Sequence, residues 1–86
     1  MNLAFSSSFK RSCKRFPKKI QDKLDACILL FQDNEFDPIL NNHKLHGEYG
    51  GSRSINVTSD VRAIYEKISE NDYYFYAIGT HSDLYS

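Results

Sequence analysis

The chain has 86 residues, 41% hydrophobic and 26% charged, with eleven basic and eleven acidic side chains. A chain this short buries only ~60–65% of its unfolded surface, so the core is small and leaves little room for a cofactor. No run approaches a membrane span, and Lys10, Arg11, Lys14 and Arg15 come too early for a signal peptide; one cytoplasmic domain over residues 1–86 is expected, with no membrane contact.

Zero net charge conceals a dipole along the sequence. Residues 1–23 hold seven Lys/Arg against Asp22 alone, whereas residues 24–86 hold four basic and ten acidic groups. A face carrying Lys10, Arg11, Lys14, Arg15, Lys18 and Lys19 is suited to neutralise phosphates by counterion release, or to dock an acidic partner segment.

In chain order, Asn2-Leu3-Ala4-Phe5 reads as a brief first strand. Ser6, Ser7 and Ser8 offer N-caps to a helix on which Phe9, Cys13 and Phe16 share one face. Pro17 cannot continue that helix but suits the first turn of the next. There Ile20, Leu24, Cys27, Ile28 and Phe31 form the stripe of an amphipathic helix of about four turns. Cys13 and Cys27, both in helical segments, are expected as reduced buried thiols rather than a disulfide.

Asp33-Asn34-Glu35 closes the second helix, and Asp37-Pro38 opens a loop carrying Asn41, Asn42 and His43. Gly47, Gly50 and Gly51 mark sharp turns around Tyr49. Three strands follow. In the first, Arg53, Ile55 and Val57 share one face while Ser54 and Asn56 share the other. Val61–Ile68 and Tyr73–Ile78 follow short turns at residues 58–60 and 69–72, which predicts an antiparallel meander. The expected fold is α+β: an antiparallel sheet of three to four strands with an N-terminal helical hairpin packed on one face.

His43, His46, His81, Arg53 and Arg62 all lie at edges of the strand-like runs, from which side chains converge on a groove. Three histidines suggest a metal, yet no His-Glu-x-x-His helix or paired-cysteine motif is present, so neither metal nor cofactor is expected. A Ser-His-Asp triad lacks its Gly-x-Ser-x-Gly elbow. RNA cleavage by acid–base chemistry needs less: a group to deprotonate the 2′-hydroxyl, cationic donors for the phosphorane and a proton for the 5′-oxygen. Histidine titrates near working pH, and Arg62 offers a permanently charged fork for the phosphate.

Four segments, Asn42-His43-Lys44-Leu45-His46-Gly47, Gly51-Ser52-Arg53, Asp60 before the strand ending Ile64-Tyr65, and Gly79-Thr80-His81-Ser82-Asp83-Leu84-Tyr85, carry a resemblance. In this order the chain resembles the RelE/ParE superfamily of bacterial toxins, and most closely its YafQ-like branch of ribosome-dependent mRNA endonucleases. The resemblance implies a RelE-like fold and a catalytic set of His43, Asp60, Arg62, His81 and Tyr85, with Arg62 and Tyr65 matching an Arg-x-x-Tyr pattern. His46, Arg53 and Asn56 stand as auxiliary positions. It implies a cognate antitoxin, the ribosome and mRNA as partners, with the basic helices meeting ribosomal RNA. Two positions depart from the branch: Asn56 stands where it has a second catalytic histidine, and Ala77 where it has an arginine. An amide transfers no proton near neutral pH. Either His46 takes that place in space or the chain is a slow or inactive member. The alternatives are a ParE-like gyrase-binding toxin and a catalytically degenerate antitoxin-binding module.

Overall fold

The computed structural model describes residues 1–85. Strand β1 (Asn2–Phe5) leads into helices α1 (Ser7–Arg15) and α2 (Lys18–Asp33), and after two 3-10 turns and the short strand β2 (His43–Lys44) come β3 (Arg53–Asn56), β4 (Val61–Ser69), β5 (Asp72–Thr80) and a terminal helix α3 (His81–Tyr85). Ser6 caps α1 by accepting from the Phe9 amide at 3.0 Å, and its hydroxyl also meets the Tyr76 carbonyl at 3.3 Å, which ties the helix start to β5. Pro17 stands at the start of α2, where its fixed φ and missing N–H carry no penalty.

The sheet has five strands in the order β1-β5-β4-β3-β2. The expected meander is β3-β4-β5, and β1 joins it parallel to β5, with Leu3 opposite Tyr73 and Phe5 opposite Phe75. The expected count of three to four strands falls one short. His43–Lys44, expected within a loop, is strand β2, which pairs His43 with Ser54 and Lys44 with Arg53 at the sheet edge. Two residues are too few to show alternation in sequence, and the strand exists because β3 supplies a partner.

Both helices cover one face. Fully buried Phe31 of α2 sits among Tyr65, Tyr73 and Phe75, with ring centroids at 4.9, 5.4 and 5.2 Å in edge-to-face geometry. Phe9 of α1 closes a second cluster with Phe5 and Phe75. Leu24 and Cys27 complete the stripe, and both cysteines are free thiols whose pKa burial pushes up. Between Ile64 and Tyr65 of β4 the pairing with β5 shifts register, so Tyr76 is an extra, bulged residue. The bulge keeps Tyr73, Phe75 and Ile78 turned to the helices although 75 and 78 are three apart. No helix among the described residues is long and apolar enough to cross a membrane.

Candidate functional site

The face of the sheet away from α1 and α2 is partly covered, with Ser54 and Ile64 fully buried and α3 packed over Gly79, and pairing decides which side chains it carries. Directly opposed residues share a face, so His43, Ser54, Ile64 and Ala77 form one row, and Asn56, Arg62 and Gly79 form the next. From strand spacing and rise, the His43 and Arg62 Cα atoms are ~12 Å apart, within reach of a bound nucleotide between them.

At the second row the chain gathers Asp60, Arg62 and His81. The His81 amide donates to the Asp60 carbonyl at 3.2 Å, locking the start of α3 onto the β3–β4 turn. That turn is built by Thr58, whose hydroxyl accepts from the Asp60 and Val61 amides. The guanidinium of Arg62 folds over the same turn, one terminal nitrogen donating to the carbonyls of Thr58 at 3.0 Å and Ser59 at 2.7 Å. It therefore pairs with backbone, and neither Glu66 nor Asp60 is needed to hold it.

The final motif, Gly79 to Tyr85, ends in a helix of one turn. Thr80 and Asp83 form a reciprocal cap: the Asp83 amide donates to Thr80 Oγ1 and the Thr80 amide to Asp83 Oδ2, both at 3.1 Å. Thr80-His81-Ser82-Asp83 is the sequence signal for this cap, a Thr followed three residues later by an acid. Gly79 lets the helix fold back, since a Cβ there would lie 3.0 Å from Asp83 Cβ. The cap places His81 at the first position of α3 and its ring 4.7 Å from that of Tyr85. Thr80→Ala should cost ~1 kcal/mol of stability and sharpen Tyr85 ring motion in NMR. Unchanged urea midpoint and unchanged Tyr85 relaxation would show the cap to be idle.

His43 reaches the same face from the sheet edge. Asn41 adopts a left-handed backbone, φ 47°, which turns its carbonyl back so that His43 Nδ1 lies 2.9 Å from it. A carbonyl only accepts, so this bond places the proton on Nδ1 and leaves Nε2 as the acceptor nitrogen of the neutral ring. That is the tautomer a general base requires at Nε2.

Arg53, an auxiliary position by sequence, lies on the opposite face. Its Nε donates to Asn42 Oδ1 at 2.7 Å, and its guanidinium lies over the Phe36 ring, 5.1 Å from the centroid. Asn42 Nδ2 in turn donates to the Tyr65 hydroxyl at 2.7 Å and to the Glu35 carbonyl at 3.0 Å, while Tyr65 donates to the Glu35 carboxylate at 2.6 Å. Burial, then the bond to Glu35, raises the Tyr65 pKa well above the ordinary tyrosine value, so its hydroxyl stays a donor. This network anchors the segment that presents His43, and Tyr65 belongs to it and to the core. His46 lies exposed where the chain enters the Gly47–Tyr49 turn. Lys10, Arg11, Lys14, Arg15, Lys18 and Lys19 are exposed on α1 and α2, across the sheet from His43. Of these, Arg15 comes nearest α3, sharing with Ser12, Phe16, Ile78 and Asp83 a pocket of about 400 Å³.

Tyr49, absent from the sequence-derived set, also belongs to the open face. Its ring meets Tyr85 edge-on at 5.7 Å, and burial followed by the neighbouring Glu48, Tyr76 and Tyr85 raises its pKa. A tyrosine flanked by Gly47, Gly50 and Gly51 was the available signal. Among the described residues, Ser54 Oγ and Asn56 Oδ1 are buried on this face with no hydrogen-bond partner. Such orphan groups are rare in folded proteins.

A mixed sheet with a helical hairpin on one face, and His43, Arg62 and His81 brought together from the other side, is the arrangement that the RelE/ParE resemblance implies. The fold superimposes on YafQ from E. coli strain BL21(DE3) with a TM-score of 0.83 at 22% identity, covering 99% of this chain and 98% of that one. A chain of the E. coli DinJ–YafQ toxin–antitoxin complex gives 0.80 at 25% identity, with 99% and 97% covered. The YoeB/ParE toxin from Agrobacterium tumefaciens gives 0.77 at 19% identity, with 94% and 99% covered. A search of curated protein sequences finds no match. The family model for YafQ, bacterial toxin of a type II toxin–antitoxin system, matches residues 1–86, and the chain belongs to that family.

Proposed function

We propose that this chain is a cytoplasmic ribosome-dependent mRNA endonuclease, neutralised by a cognate antitoxin, and that it cuts without a metal. The observation that carries the reading is the backbone bond from His81 to Asp60 next to Arg62, whose row adjoins that of His43 on one sheet face. In the reaction one imidazole takes the proton of the 2′-hydroxyl, whose oxygen attacks the phosphorus. The P–O5′ bond breaks, the second imidazole protonates the departing 5′-oxygen, and a 2′,3′-cyclic phosphate remains. Arg62 stabilises the doubly charged phosphorane, and Tyr85 braces the His81 ring. Asn56, paired with Arg62, offers only hydrogen bonds to the substrate.

The charge distribution supports the two macromolecular partners. Basic α1 and α2 can rest on ribosomal RNA while the other face of the sheet receives mRNA. Between these helices runs a groove of about 670 Å³ lined by Phe5, Phe9, Leu24, Ile28 and Leu29, with Lys14 on its rim. It suits an amphipathic antitoxin segment with acidic flanks. The DinJ–YafQ complex is the relative that motivates this partner.

Expression of the chain alone should slow growth and yield new mRNA 5′ ends that vanish when translation initiation is blocked. Growth arrest with intact mRNA and inhibited gyrase would favour the ParE-like alternative. No arrest, with tight antitoxin binding retained, would mean that Asn56 and Ala77 have left a binding module.

A further inference from the structure

The open face carries a line of aromatic rings that the cleavage chemistry does not use. Tyr74 and Tyr76, two residues apart on β5, stack at 6.2 Å with planes 26° apart. The Tyr76 hydroxyl meets Ser52 Oγ at 2.5 Å, which fixes the second ring on the open side of the sheet. Tyr49 lies beside Tyr76 and Tyr85, and Tyr85 adjoins His81. The line therefore runs from the Tyr74 end of β5 to His81, seven residues of strand, or ~23 Å.

Tyr65, Tyr73 and Phe75 fill the core; Tyr74, by contrast, is 36% exposed. A tyrosine pair held rigid on a sheet face costs apolar exposure that core packing does not explain. Rings at intervals along a sheet face suit unpaired bases, because every base has a π-face and sheet aromatics stack two or three of them. A second observation points the same way. The stripe ends at the His81–Tyr85 pair, where the proposed cut is made, so a strand held there continues over Tyr49 and Tyr76.

We propose that Tyr74 and Tyr76 form a base-stacking subsite for single-stranded RNA, continuous through Tyr49 with the His81–Tyr85 end of the face. It rests on the reading that RNA is the substrate but concerns nucleotides flanking the cut. Glu66 opposes Tyr74 and Glu48 adjoins Tyr49, so the subsite grips base faces and not phosphates. Its contribution should persist at raised salt.

The test uses fluorescein-labelled hexa-adenylate and the full chain carrying His81→Gln, so that binding is read without cleavage. Tyr74→Ala in that background should weaken binding about tenfold at both 50 and 300 mM salt, and Tyr74→Phe should leave it unchanged. Tyr76→Phe, which keeps the ring and drops the bond to Ser52, should also retain binding. In the unsubstituted chain, hexa-adenylate should shift the Tyr74 and Tyr76 ring resonances, a readout that needs no variant to fold. Unshifted rings, or a Tyr74→Ala protein that binds as tightly as its parent, would overturn the subsite. So would a loss of affinity for antitoxin with none for RNA, which would make the stripe a protein interface. Failure of the cleavage reading looks different: the rings would shift while mRNA in translating cells stayed whole.

Discussion

His81→Ala should lower ribosome-dependent mRNA cleavage by ~10²-fold or more, and Arg62→Ala by a similar factor, because each removes a group the transition state needs. His81 is exposed at the first position of α3, so its loss should leave the thermal midpoint nearly unchanged. Arg62 is different. Its guanidinium also ties down the carbonyls of Thr58 and Ser59, and truncation should loosen the turn that receives the His81 amide. Arg62→Lys separates the two roles: a lysine can reach a carbonyl and carry charge but lacks the bidentate fork for a phosphate. Cleavage should stay depressed in Arg62→Lys while the urea midpoint recovers. Mapping of mRNA ends at equal toxin levels, paired with circular dichroism of the purified variants, gives both readouts. Full cleavage by His81→Ala would remove this histidine from the mechanism.

The largest effect on stability should come from Phe31→Ala. Phe31 is completely buried, and its ring joins α2 to three aromatics on β4 and β5. Deleting it removes the transfer free energy of the ring and leaves a cavity that rigid neighbours cannot fill, a loss of ~3–5 kcal/mol. Small domains have ~5–15 kcal/mol in total, so the variant should be largely unfolded at 37 °C or close to it. Leu29→Ala is the control on the same helix, since Leu29 is 68% exposed and should cost well under 1 kcal/mol. Urea unfolding followed by far-UV circular dichroism measures both. A Phe31→Ala loss below ~1 kcal/mol would mean that α2 does not dock through this ring.

The two substitutions also probe opposite sides of one sheet. β4 carries Tyr65 inward to Phe31 and Arg62 outward to the open face, three residues apart. A core defect at Phe31 should therefore disturb the position of Arg62, whereas loss of His81 should leave the core intact. This asymmetry distinguishes a damaged scaffold from a damaged site.

What could be read from residues alone was what local physics specifies. Ser6 before Phe9, and the stripe Ile20-Leu24-Cys27-Phe31, announce two helices because caps and a 3.6-residue period act within a few residues. The alternation of Arg53 and Ile55 with Ser54 and Asn56 already divided β3 into two faces, and short turns at residues 58–60 and 69–72 made the meander readable. Arg53 and Asn56, grouped as auxiliary positions of one site, fall on opposite faces of that strand. The network through Asn42 to Tyr65 shows where Arg53 goes instead.

Tertiary pairing decided the rest. His43 joins the open face because its neighbour Ser54 lies on β3, eleven residues away, and a two-residue strand has no register of its own. Helix α3 is too short to stand alone in water; it persists through its Thr80–Asp83 cap and the bond from His81 to Asp60. Tyr74 and Tyr76 look in sequence like Tyr65 and Tyr73, aromatics in strand-forming runs. Only the bulge at Tyr76 and the placement of both helices on one face of the sheet separate rings that fill the core from rings that face outward, because burial depends on which partner covers a face and not on the residue that occupies it.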